Sequence, residues 1–205
     1  LREEVNHGLF GYSLPPRELV KTIEERLLNH YDWSIDPSWI IWLPGMVPGL
    51  NIASRCVGEP GDDILTTTPI YPPFLTAPGY ADRNALRYEM GFDPVLERWT
   101  IDFDALEQTI TNKTNLFLFC NPHNPLGRIF SVEELKETAE FCLRNNLIIC
   151  SDEIHCDLLL EPSKSHIPIA TLSPDIADRT ITLMAPSKTF NLPGFGCSFA
   201  IIPNP

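Results

Sequence analysis

The sequence predicts an α/β domain, a mainly parallel sheet with helices on both faces. Three observations carry this. Residues 115–120 (NLFLFC) and 147–150 (LIIC) are short, continuous apolar runs, the pattern of strands buried on both faces. Between them, Ser131 and Glu134 form the S-x-x-E capping box that opens a helix. Strand, helix, strand in this order builds a parallel sheet with right-handed crossovers.

The elements follow in chain order. Pro15 and Pro16 open a helix whose face carries Leu19, Ile23 and Leu27, ending near Asn29. Residues 43–49 read as a Pro/Gly turn and 50–57 as a helix. Residues 63–68 form a strand stopped by Pro69, and 85–90 another. Residues 102–110 read as a helix. After the strand at 115–120 comes a loop, 121–129. The capped helix then presents Leu135, Ala139 and Cys142 on one side and ends at Asn145–Asn146. Strands at 147–150, 180–184 and 198–202 complete the reading.

Composition bounds the function. The 205 residues are 43% hydrophobic and 20% charged, a balance that supports one sizeable core. A net charge of -12 argues against nucleic acid and anionic membrane as partners, since both reward Lys and Arg. No apolar stretch is long enough to cross a bilayer. The six cysteines include no CxxC pair and sit mostly in apolar runs, which implies reduced, buried thiols and no metal site. With no signal pattern in residues 1–5, a cytoplasmic protein is expected.

In parallel sheets, ligands bind beyond the carboxyl ends of the strands. Motifs stand at four such ends: NPHNPLG at 121–127, SDEIH at 151–155, APSK at 185–188, and Tyr71 after the strand at 63–68. Taken singly, each reads as a turn, a helix cap or a surface lysine. The cluster 152–156 resembles metal ligands but lacks the distant partners of a closed site.

Taken together, the ordered motifs resemble the fold-type I pyridoxal-phosphate (PLP) enzymes, the class I/II aminotransferase superfamily, from Gly11–Tyr12 to Ile202. The resemblance implies PLP as cofactor and Lys188 as the residue whose amine binds its aldehyde and removes the substrate Cα proton, its pKa lowered by burial and by the cofactor. Asp152 matches the carboxylate that keeps the ring nitrogen protonated. Asn124 matches the donor to the 3-oxygen, and Tyr71 the aromatic stacked on the ring. Gly45, Met46 and Val47 match the phosphate loop, and Ser187 a phosphate hydroxyl contact. Tyr12 matches a tyrosine that reaches the phosphate of a neighbouring subunit, implying a homodimer contacted by residues 1–30. Residues 1–205 would then be an incomplete large domain, the small C-terminal domain with its carboxylate-binding Arg lying beyond Ile202.

Departures narrow the resemblance. The phosphate-binding Arg eight residues after the lysine is replaced by Gly196, and D-E-x-Y becomes D-E-I-H with His155. His155 is a candidate to tune the 3-oxygen, shuttle a proton or bond structurally; Glu153 is read as structural or solvated. The run MAPSKTFN at 184–191 and HIPIA at 166–170 resemble the MalY/PatB branch of cystathionine β-lyase-like carbon–sulfur lyases. The expected activity is cleavage of an L-cysteine S-conjugate. An aminotransferase using the same residues is the alternative, and a non-catalytic remnant of such an enzyme the third reading.

Overall fold

In chain order the strands are β1 (Ile40–Leu43), β2 (Asp63–Thr68), β3 (Asn84–Glu89), β4 (Gly91–Asp93), β5 (Arg98–Thr100), β6 (Thr114–Cys120), β7 (Ile148–Asp152), β8 (Thr180–Met184) and β9 (Ser198–Ile201). The helices are α1 (Arg2–His7), α2 (Arg17–Tyr31), α3 (Met46–Cys56), α4 (Pro73–Tyr80), α5 (Phe103–Glu107), α6 (Val132–Arg144) and α7 (Pro174–Ala177). This computed structural model describes residues 2–161 and 163–203. The chain divides into two units, 1–37 and 38–205. The first holds α1 and α2, and the expected stripe on α2 buries Ile23 and Leu27.

In the second unit seven strands form one sheet, in the order β1-β9-β8-β7-β6-β2-β3. All pairings among β3, β2, β6, β7 and β8 are parallel. Only β9, inserted between β8 and β1, runs antiparallel. Alternation along β6 explains its unbroken apolar run. Leu116, Leu118 and Cys120 join a cluster with Leu50 and Ala53 of α3 and Phe74 of α4. Phe117 and Phe119 join the opposite cluster, with Leu106 of α5 and Leu135, Ala139 and Phe141 of α6. Both faces are therefore covered, as the sequence implied.

The departures have local causes. Strand β1 is a four-residue edge strand, too short to stand out beside the Pro44–Gly45 turn. Helix α3 begins at Met46, not 50, because Pro48 lies in the first turn, where a missing N–H costs nothing. Helix α4 contains Pro73 at its start and Pro78 inside, and is retained by burial of Phe74 and Ala77. Helix α5 is shorter than 102–110. Asp102 caps it, and the β-branched Thr109, Ile110 and Thr111 do not extend it. Cys56 and Cys197 are exposed, so burial holds for Cys120, Cys142, Cys150 and Cys156 only.

Candidate active site

Because β6, β7 and β8 are parallel and in register, their last residues stand side by side. Cys120 pairs with Asp152, and Asp152 with Leu183. Backbone bonds hold the departing chains together: Asn121 N–H donates to Asp152 O at 3.1 Å and Glu153 N–H to Leu183 O at 2.9 Å. Strand β1 runs in the same sense as β8, being separated from it by antiparallel β9. The start of α3, just beyond β1, therefore lies at this same edge.

A cavity of about 380 Å³ opens there, and nine of the residues singled out from the sequence line it: Gly45, Met46, Val47, Tyr71, Asn124, Asp152, His155, Ser187 and Lys188. The tenth, Tyr12, belongs to the 1–37 unit, where its side chain is fully exposed. Cys120, Phe74, Gly196 and Cys197 also line the cavity. Cys120 was foreseeable, since it ends β6 directly before the Asn121 motif. Phe74 was hidden by the prolines around α4.

The loop 121–129 is closed by its own bonds. His123 N–H donates to Arg128 O at 2.7 Å, and Gly127 N–H to His123 O at 2.9 Å. Gly127 sits at φ 63°, a left-handed conformation that glycine adopts without steric cost. Asn121 Oδ1 accepts from Phe130 N–H, and Arg128 pairs with Glu134 and lies 4.4 Å over the Phe130 ring. Tyr71 N–H donates to Asn124 O at 3.2 Å, joining the turn after β2 to this loop. Thr189 Oγ1 donates to Asp157 Oδ2 at 2.6 Å, tying the segment that carries Lys188 to the one that follows β7.

The electrostatics single out Asp152. Its carboxyl is buried, and Oδ1 accepts one hydrogen bond, from Ile154 N–H at 3.1 Å. Burial pushes its pKa up to about 7; the Glu153 charge adds to this, while the Ile154 bond and the Lys188 charge oppose it. A carboxyl in that condition gains from a cationic partner. His155 is held below its ordinary value, first by burial and then by Lys188, so its imidazole is neutral near pH 7. Burial, reinforced by Asp152, raises the Cys120 thiol far above its usual range, leaving it unreactive. The Lys188 side chain is exposed, so the expected burial of this amine is not met in this chain. Glu153, read as structural or solvated, is fully buried and accepts from Ser151 Oγ, Ile169 N–H and His166 Nε2.

Gly196 occupies the position where an arginine was missed. It sits at φ +60°, and a Cβ there would lie 2.9 Å from Pro44 O, so the backbone at this point leaves no room for a side chain. The N-terminus of α3 has no side-chain cap, leaving the Met46 and Val47 N–H groups for an anion. These features fit PLP: an amine for the aldehyde, a buried carboxyl for the ring nitrogen, and a helix start for the phosphate. Among the described residues, no group of three or more His, Cys, Asp or Glu side chains is arranged to hold a metal ion, and no helix is long and apolar enough to cross a membrane.

Comparison with known proteins agrees with this geometry. Residues 5–205 match the family described as aminotransferase class I and II. The cystathionine β-lyase PatB of Bacillus subtilis is 39% identical over 208 residues, an alignment covering 100% of this chain and 52% of that protein. Among solved structures, OvoB superposes with a TM-score of 0.95 at 45% identity, covering 100% of this chain and 53% of its own. Cystalysin from Treponema denticola, which contains a pyridoxal 5'-phosphate cofactor, gives a TM-score of 0.92 at 36% identity, covering 100% of this chain and 51% of its own. The chain spans about half the length of the curated relatives it matches.

Proposed function

Because the chain belongs to the class I and II aminotransferase family, we propose that it is the cofactor-binding part of a PLP-dependent carbon–sulfur β-lyase. The substrate is cystathionine or another L-cysteine S-conjugate, and the products are a thiol, pyruvate and ammonia. The observation that carries this reading is the meeting of Lys188, Asp152 and Asn124 in one cavity at adjacent strand ends. The 39% identity to a cystathionine β-lyase, in an alignment that covers the whole chain, supports the lyase assignment.

Bound there, PLP supplies an electron sink for negative charge developing at the substrate Cα. Lys188 Nζ would be the amine that holds the cofactor's aldehyde, and it is the base available to take a proton from the substrate Cα. Asp152 would hold a protonated ring nitrogen, which would relieve its own buried charge. Asn124 and Tyr71 line the same cavity; Asn124 would supply a hydrogen-bond donor to the cofactor and Tyr71 an aromatic ring to pack against it. The N–H groups of Met46 and Val47, with Gly45 allowing close approach and Ser187 adding a hydroxyl, hold the phosphate. His155, which lines the cavity with Lys188 and is held below its ordinary value by burial and by that lysine, would be suited to relay a proton there.

Residues 1–205 belong on this reading to the large domain of a homodimeric enzyme, with residues 1–30 contacting the partner subunit. The exposed side chains of Leu9, Phe10, Tyr12 and Leu14 support such a contact, and Tyr12 is the residue that would reach the partner's phosphate. A cytoplasmic location is part of this reading, and the free thiols of all six cysteines suit it.

Borohydride reduction followed by peptide mapping tests the site. The pyridoxyl label is expected on Lys188, and a label elsewhere, or none, overturns the assignment. Incubation with cystathionine tests the reaction. Pyruvate and thiol released without a keto acid support the lyase, whereas glutamate formed only when 2-oxoglutarate is present establishes the aminotransferase instead.

A further inference from the structure

Glu153 follows Asp152 directly, and successive side chains leave a strand on opposite faces. Asp152 faces the cavity, and Glu153 turns to the other layer, beside Ile169. There it is fully buried, a costly placement for a carboxylate unless it is paired and hydrogen-bonded. Its partners are Ser151 Oγ at 2.9 Å, Ile169 N–H at 3.3 Å, and His166 Nε2 at 2.7 Å. The Ser151 hydroxyl and the Ile169 N–H donate to Glu153 Oε1, and the His166 ring nitrogen lies against Oε2. The His166 side chain is fully buried as well, and it comes from a separate segment of the chain.

Glu153 acts on its neighbour. Two adjacent carboxylates resist ionising together, and the charge of Glu153 disfavours the charged form of Asp152. The other groups whose charge couples to Asp152 are Lys188 from the segment after β8, Cys120 at the end of β6 and Cys150 within β7. His155 follows on its own segment. Of these, Lys188 is committed to the chemistry and both thiols are neutral. The compensation of Glu153 is therefore the adjustable part of the field around Asp152.

We propose that His166 is a positioning residue that acts through Glu153: by compensating that buried charge it sets how readily Asp152 ionises, and so how strongly the strand end holds a protonated ring nitrogen. The second half rests on the role assigned to Asp152 above; the first does not.

The test is carboxyl ¹³C titration of Asp152 in the purified full-length protein, with and without PLP, the signal being assigned by its loss in Asp152→Asn. In the cofactor-free protein, His166→Phe removes the donor while keeping a ring, and should raise the Asp152 midpoint by about half a pH unit or more, roughly threefold in its protonation equilibrium. Glu153→Gln should lower it. In the Glu153→Gln background, His166→Phe should have no further effect. Ser151→Ala removes another donor to the same carboxylate and should act in the direction of His166→Phe, which keeps the test open if the histidine variant fails to fold. A merely structural role would move both single variants in the same direction. Shifts of one sign, or no shift in either, overturn the proposal. Failure of the wild-type protein to bind PLP would sink the proposed function while leaving the cofactor-free titration readable.

Discussion

Asp152→Asn should change the pH dependence of stability more than stability itself. In the structure, burial outweighs the single Ile154 hydrogen bond and lifts the carboxyl from 3.8 to about 7. A folded-state pKa above the unfolded value means the native state holds the proton more tightly. The stabilising contribution is thus complete below about pH 4 and lost as pH rises to 7. A rise of about three units, at roughly 1.36 kcal/mol each, amounts to about 4 kcal/mol, of which about 2.5 kcal/mol falls between about pH 5 and pH 8. His123 works against this. Burial, then Arg128, depresses its imidazole to about 4, so its contribution is complete above about pH 6.5 and lost as pH falls towards 4. The two slopes oppose each other over the acid range, and the wild-type curve alone is uninformative. The difference between wild type and Asp152→Asn isolates the carboxyl. Urea unfolding of cofactor-free protein at the two pH values measures it. Asp152→Asn should gain about 2.5 kcal/mol relative to wild type on going from about pH 5 to pH 8, and saturating PLP should remove that gain. Parallel curves, within about 0.5 kcal/mol, would refute the buried-carboxyl argument.

Other substitutions probe what holds the cavity in shape. Gly196→Ala should cost about 2 kcal/mol and weaken PLP binding, because it combines a left-handed φ with a Cβ 2.9 Å from Pro44 O. Gly194→Ala, where a Cβ meets nothing within 4 Å, should stay within about 0.5 kcal/mol by the same thermal melts. Arg128→Ala removes the shorter of the two ion pairs of Glu134, leaving Arg98 at 3.9 Å and the Ser131 N–H, and uncovers Phe130; a loss of about 2 kcal/mol is expected, together with faster proteolysis in 121–129. Ser131→Ala removes one arm of the capping box on α6 and should cost about 1 kcal/mol in denaturant melts without affecting PLP binding.

What the sequence revealed depended on how local the cause was. Strands β6 and β7 were legible because burial on both faces makes an uninterrupted apolar run, and α6 because both arms of its capping box lie within four residues. Helix α4 was not legible, since what keeps Pro78 helical is the burial of Phe74 and Ala77, a tertiary matter. The site motifs were readable because each directly follows a strand, and parallel pairing alone brings them together. The Glu153–His166 and Thr189–Asp157 contacts were not, since they join residues 13 and 32 positions apart that carry no shared pattern. The burial state of Lys188 also escaped the sequence, because it depends on what surrounds the cavity mouth.

The same distinction explains how an acidic chain can hold an anionic cofactor. With a net charge of -12, the protein's long-range field does not favour a phosphate, and Gly196 removes the cation expected near it. Attraction must then be short-range. The uncapped start of α3 supplies it through N–H dipoles, whose effect falls off within a helical turn and is fixed by the fold. On the proposed reading, Asp152, whose buried carboxyl is raised to about 7, would meet the ring nitrogen in the same cavity. Phosphate and ring are thus each met by groups whose interaction is weak at a distance and strong on contact. A site built this way selects by fit rather than by net charge. If Glu153 and His166 tune Asp152 as proposed, they would contribute to that selection although they do not line the cavity.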